Sequence, residues 1–165
     1  MTKSQNPYAR SLDLWQTLKL SALGLVKIPV LFFVRPRVAH VDDNSCAIRI
    51  PLNWRTRNHV GCMYFGVLCV GADIAGGMLA WLLADKAGQN VQILFKDLHA
   101  DFLKRAEGDV LFTCEDGPAI TEMVHRAIES GQRQNMPVRV TARVPDLLGD
   151  VPVARFTLTL SLKKK

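Results

Sequence analysis

Cysteine is scarce and scattered. Cys46, Cys62, Cys69 and Cys114 form neither a C-x-x-C pair nor a cluster with histidine. Zinc and dithiol-redox patterns are therefore not supported, no metal ligand is assigned, and reduced, mostly buried thiols are expected. Repeats and low-complexity tracts are also missing. With 48% hydrophobic and 22% charged residues, the composition is that of a folded chain, far from that of disorder. The first 36 residues lack a secretory layout, having a long polar lead and no small-residue cleavage site after the apolar part, which makes the cytoplasm the expected compartment. Acidic residues are outnumbered 15 to 21, for a net charge of +6, and Lys163, Lys164 and Lys165 are read as a solvated tail. The remaining excess suits an anionic partner. With no basic patch interleaved with aromatics and no recognised motif, nucleic acid is not expected to be that partner.

The 165 residues suffice for one domain with a real core. Residues 12–34 are rich in helix formers but carry Lys19, Lys27 and Pro29, which predicts an amphipathic helix broken near Pro29 rather than a membrane span. It is read as packing on the outside of the domain, with weak contact with a membrane surface or covering of a lipid-binding mouth as its alternative roles. We set residues 1–36 apart as an N-terminal helical extension and 37–165 as the domain.

After Pro36 the period becomes two. Cys46, Ile48, Ile50 and Leu52 alternate with Ala47 and Arg49, and the DDNS turn before them predicts a hairpin. Val91, Ile93 and Phe95 alternate until Lys96-Asp97 shifts the phase to Leu98, Ala100 and Phe102, predicting one long strand with a bulge. Val110, Phe112 and Cys114 mark another strand. Ile120, Met123, Val124, Ala127 and Ile128 then mark a short helix stopped by Gly131. Two long strands follow, Val138–Val144 and Phe156–Leu162, joined by a turn at PDLLGD.

Between the hairpin and the long strand, residues 58–84 contain a single ionised side chain, Asp73. The stretch from about Tyr64 to Ala84 is apolar on every face, the pattern of a helix buried all round. Its length also suits a membrane span. Against that reading stand the dry faces of the flanking strands, which need a partner, and glycines 61, 66, 71, 76 and 77, which let a sheet come close. The arrangement that satisfies all elements is an α+β fold, a curved antiparallel sheet wrapped around one long helix.

The stretch Asn58-His-Val-Gly61-x-x-Tyr64-Phe65-Gly66, followed by Ala72-Asp73-Ile-Ala75, resembles the hotdog-fold acyl-CoA thioesterases of the phenylacetyl-CoA thioesterase type. Their usual form is N-x-x-G-x-x-H-G-G, six residues, then A-D-x-A. Downstream, Phe102-Leu-Lys-Arg-Ala-Glu-Gly108-Asp109 is similar to the family's F-L-x-P-A-x-G-D, and the resemblance covers about residues 38–162. It implies a hotdog fold and hydrolysis of an acyl thioester such as acyl-CoA, with no cofactor beyond that substrate. It also implies a homodimer or a dimer of dimers. Carried over by position, Asp73 corresponds to the catalytic carboxylate and Phe65 to the residue whose backbone N–H binds the thioester carbonyl. Asn58 matches the loop asparagine near water or substrate, and Gly66 keeps its place in the motif. Tyr64 stands where the family has histidine.

The chemistry can also be argued from the residues. Thioester hydrolysis needs a donor for the developing oxyanion and a group that activates water or attacks the carbonyl. The start of a buried helix offers free N–H groups near Tyr64, Phe65 and Gly66, and a desolvated Asp73 would have a raised pKa suited to a general base. Nine residues at a rise of ~1.5 Å separate Tyr64 from Asp73 by about 13 Å, too far for both to act on one carbonyl. A site using both needs two subunits.

Other roles stay open. Asp73 could be a structural carboxylate satisfied by a helix N-terminus or by an arginine such as Arg139 or Arg143, Asn58 a loop-holding residue, and Tyr64 a core aromatic with a bonded hydroxyl. Lys104 and Arg105, then Arg139 and Arg143, are the candidates for the phosphates of coenzyme A. The alternative function is a non-catalytic acyl- or lipid-binding hotdog protein.

Overall fold

In a computed structural model, residues 7, 8 and 12–165 are described. Residues 1–6 and 9–11 of the N-terminal extension lie outside them. The order is α1 (Leu14–Val26), α2 (Pro29–Val34), β1 (Arg37–Val41), β2 (Cys46–Ile50), α3 (Phe65–Lys86), β3 (Val91–Phe102), β4 (Val110–Cys114), α4 (Gly117–Ser130), β5 (Gln134–Arg143), α5 (Pro145–Leu148) and β6 (Pro152–Lys164). The six strands form one antiparallel sheet in the order β1-β2-β4-β5-β6-β3, wrapped around α3. This is the hotdog arrangement the resemblance implied.

Local chemistry accounts for the turns. The Asp42 carboxylate accepts from the N–H groups of Asn44 and Ser45, closing the β1–β2 hairpin. In β3 the pairing jumps from Phe95↔Leu160 to Leu98↔Leu158, so two residues, Lys96 and Asp97, face the single Thr159. This is the bulge read from the phase slip, and it is tied down by Thr159 N–H donating to the Asp97 carboxylate at 3.2 Å. Gly131 ends α4 in the left-handed region at φ 64°. PDLLGD carries a short helix within its turn, and β6 runs through Lys164, so Lys163 and Lys164 belong to a strand end, paired with Gln92 and Val91, rather than to a free tail.

Inward residues of β2, β4, β5 and β6 close on α3, with Phe112, Phe156, Ile48, Ile50 and Leu158 fully buried. At Gly71 the Phe112 ring lies so near that an added Cβ would fall within 2.3 Å of it, so this contact requires glycine. Leu20, Leu31 and Val34 join the same core, which makes α1 and α2 part of the packing unit. α3 is long and apolar enough to cross a membrane, but the sheet covers most of it.

The expectation that α3 is buried all round needs correction. Phe65, Cys69, Asp73, Gly77 and Trp81, spaced by four, form a stripe that the subunit leaves partly or wholly open. The sheet wraps only part of the helix circumference, and composition alone does not show which part.

Candidate functional site

Two clefts flank this stripe, one at each half of α3. The first, about 620 Å³, is walled by the inward side of α1 and α2 and by β3. Leu20, Leu31, Met78, Trp81 and Phe95 make it apolar, Lys19 and Lys27 contribute to its lining, and Asp73 is its acid. Asp73 is open to solvent in the isolated subunit yet hemmed in by apolar groups, and this desolvation pushes its carboxyl above the ordinary carboxylate range. The Asp73 carboxylate forms no hydrogen bond or ion pair among the described residues.

The pairing of Asp73 with Arg139 or Arg143 is not formed. Arg139 and Arg143 lie on the outer side of β5, opposite the inward Val138, Val140 and Ala142. Arg139 is bound to Asp116 at 3.1 Å, and Arg143 donates to the Asp150 carbonyl and the Thr113 hydroxyl. Neither arginine meets Asp73, and neither lines either cleft.

The second cleft, about 500 Å³, opens at the start of α3 and brings together Asn58, Tyr64, Phe65, Lys104 and Arg105. The entering chain is fixed on both sides, because Met63 N–H donates to the Ala106 carbonyl and Tyr64 N–H to that of Thr56, each at 2.8 Å. Tyr64 caps α3 in an extended conformation, so the helix starts at Phe65. The N–H groups of Phe65 and Gly66 meet no acceptor among the described residues and carry the positive end of a 22-residue helix. They can bind a developing oxyanion.

Tyr64 is not a core aromatic. It is 47% exposed and stacks edge-to-face on Phe65 at 4.9 Å, because its ψ of 136° turns it out of the helix before the first turn. Its hydroxyl has no partner among the described residues. Phe65 in turn meets Phe102 at 6.4 Å. Asn58 spends its side chain on its own loop, where its amide oxygen accepts from the N–H groups of Val60 and Cys62. Those are the bonds of the loop-holding role. Lys104 and Arg105 are exposed and form no ion pair among the described residues, so they present free charge at the rim of this cleft.

Sequence reasoning offered the N-terminal helix as a cover of a lipid-binding mouth only as an alternative, and it did not name the residues that wall the Asp73 cleft: Lys19, Lys27, Trp81 and the inward leucines of α1 and α2. The available signal was that α1 is apolar around most of its circumference, more than one packing face requires. Burial makes Cys46 and Cys114 unreactive; they oppose each other across β2 and β4, and the Cys114 thiol is pushed up to about 11.

No curated protein matches the chain significantly. Solved structures do. A protein of unknown function from Chlorobaculum tepidum shares 13% identity at a TM-score of 0.78, covering 95% of this chain and 99% of that one. A Pseudomonas aeruginosa protein of unknown function, called a "probable thioesterase", shares 21% at 0.74, covering 94% and 98%. A thioesterase from Haemophilus influenzae shares 15% at 0.64, covering 88% and 90%. At such identities the likeness is one of fold. Residues 17–162, a span that begins inside α1 and so takes in most of the N-terminal helices, match the family described as "Domain of unknown function (DUF4442)", and the chain belongs to that family.

Proposed function

We propose that the protein is a thioester hydrolase acting on acyl thioesters of the acyl-CoA kind, at a site shared by two subunits. The observation that carries this reading is the unpaired Asp73 carboxylate, its pKa raised, in an apolar cleft on a helix whose own N-terminus offers free N–H groups. Asp73 would act as general base or nucleophile, and the Phe65 and Gly66 N–H groups would bind the oxyanion. Hydrolysis then needs only water. The acyl group enters the apolar cleft, while Lys104 and Arg105 offer charge to the phosphates of the thiol half.

Phe65 and Asp73 are eight residues apart, about 12 Å along the helix, so the two groups must come from different subunits. Three features favour such a dimer. The second edge of β3 has no strand partner among the described residues. Leu94, Leu98 and Phe102 on β3 are exposed, as are Phe65 and Trp81 on α3. An antiparallel two-fold mate would cover this surface and set the start of one α3 beside the middle of the other.

Release of free thiol from short, long and aromatic acyl-CoAs, measured beside Asp73→Asn, tests the proposal. Turnover that the variant loses supports it. A second reading, the acyl binder without turnover, is favoured by one observation: Tyr64 and Phe65 put two rings where the related motif has histidine and glycine. It predicts a bound acyl chain and equal, near-background thiol release by both proteins.

A further inference from the structure

α1 is apolar on two opposite faces. Leu20 and Gly24 turn inward and are buried, whereas Trp15, Leu18 and Leu25 look outward, 66%, 63% and 64% exposed. A helix that packs on one side leaves its solvent side polar, so this second stripe is unpartnered within the subunit. On α2, which meets α1 closely at Gly24, Phe33 is half exposed and touches Trp54 edge to face at 6.3 Å.

Apart from Asp13, the N-cap of α1 two residues before Trp15, the charges on these two helices and the strand after them have one sign. Between residues 14 and 41 there is no Asp or Glu, but there are Lys19, Lys27, Arg35 and Arg37, and none of the four forms an ion pair among the described residues. Lys19 Nζ lies 5.4 Å over the Trp15 ring, and the Arg55 guanidinium lies 5.0 Å from that of Trp54 and 5.6 Å from that of Phe33. Indole and phenyl rings with cations beside them, on a short helix pair free of acids, suit the boundary between acyl chains and anionic headgroups. A second copy docked through the same stripe would set these cations against one another.

We propose that the outward face of α1 and α2 docks on an anionic lipid bilayer. This goes beyond thioester chemistry and does not depend on it. The docked helices are the ones whose inward side walls the Asp73 cleft, so the cleft lies next to the lipid-bound element.

The test is co-sedimentation of the full chain with vesicles of phosphatidylcholine alone and of phosphatidylcholine mixed with phosphatidylglycerol, at low and high salt. Binding is expected to favour the anionic vesicles and to weaken with salt. It should fall about tenfold or more in Lys19→Glu/Lys27→Glu and in Trp15→Ser/Leu18→Ser. The second variant removes only exposed groups, so an unchanged melting temperature identifies the loss as one of docking. Absence of binding to anionic vesicles, or equal binding by the variants, overturns the proposal. A Trp15→Ser/Leu18→Ser protein of smaller assembly size by light scattering also overturns it, since a second copy then covers the stripe.

Discussion

Division of the site between subunits can be tested with two variants, each damaging one half. Asp73→Asn removes the base. Phe65→Pro removes the oxyanion donor with little structural cost, because Phe65 is the first residue of α3, where proline is favoured, and its N–H has no acceptor among the described residues. Tyr64, at φ −62° and ψ 136°, already has the conformation that precedes proline. Loss of one oxyanion donor costs about 10²–10³ in turnover. Loss of a general base costs about 10²–10⁴. Phe65→Ala, which keeps the N–H, separates the donor from the ring. If each site takes its donor from one subunit and its carboxylate from the other, a mixed dimer holds one doubly damaged and one intact site. Equal mixing makes about half of the dimers mixed, so activity should recover to about a quarter of the unaltered protein's. The assay is thiol release before and after subunit exchange, with native mass spectrometry counting mixed dimers. Mixed dimers without recovery would refute the shared site.

Four other expectations follow from particular contacts. Because Asp73 works only when ionised and its pKa is raised by desolvation, kcat/KM should fall as pH drops through that raised value, and Asp73→Asn should lose this limb. The folded state holds this proton more tightly than the unfolded one, so the group lowers stability as pH rises from the ordinary aspartate value through the folded one; Asp73→Asn should melt slightly higher at neutral pH, by a margin kept small by solvent in the cleft. Gly71→Ala should destabilise by about 1–3 kcal/mol in urea titration, since its methyl collides with the fully buried Phe112 ring; an unchanged midpoint would mean that the ring can move. Lys104→Ala with Arg105→Ala should raise KM for CoA esters more than it lowers kcat, and unchanged coenzyme A affinity would remove both residues from the site.

Patterns of near neighbours carried most of the fold in the sequence. Alternation at Val138, Val140 and Ala142 marks one dry strand face, the slip at Lys96-Asp97 marks a bulge, and a 3.6-residue stripe ended by Gly131 marks α4. These signals survive because side-chain direction along a strand or helix is a local property of the backbone. The lone Asp73 and the motif around Asn58, Tyr64 and Phe65 were legible for the same reason, as was the distance between them, which depends only on helical rise. How those residues are used was not. Tyr64 reads as core but turns outward, the sequence left Asn58 open between a site and the loop it closes, and Arg139 and Arg143 spend their charge on the outer side of β5. The open stripe of α3 and the wall that α1 and α2 give to the Asp73 cleft depend on how far the sheet curls and where the N-terminal helices come to rest. Those are contacts between residues about fifty apart in the chain, and an apolar run has the same composition whether its last uncovered face meets solvent, lipid or a second subunit.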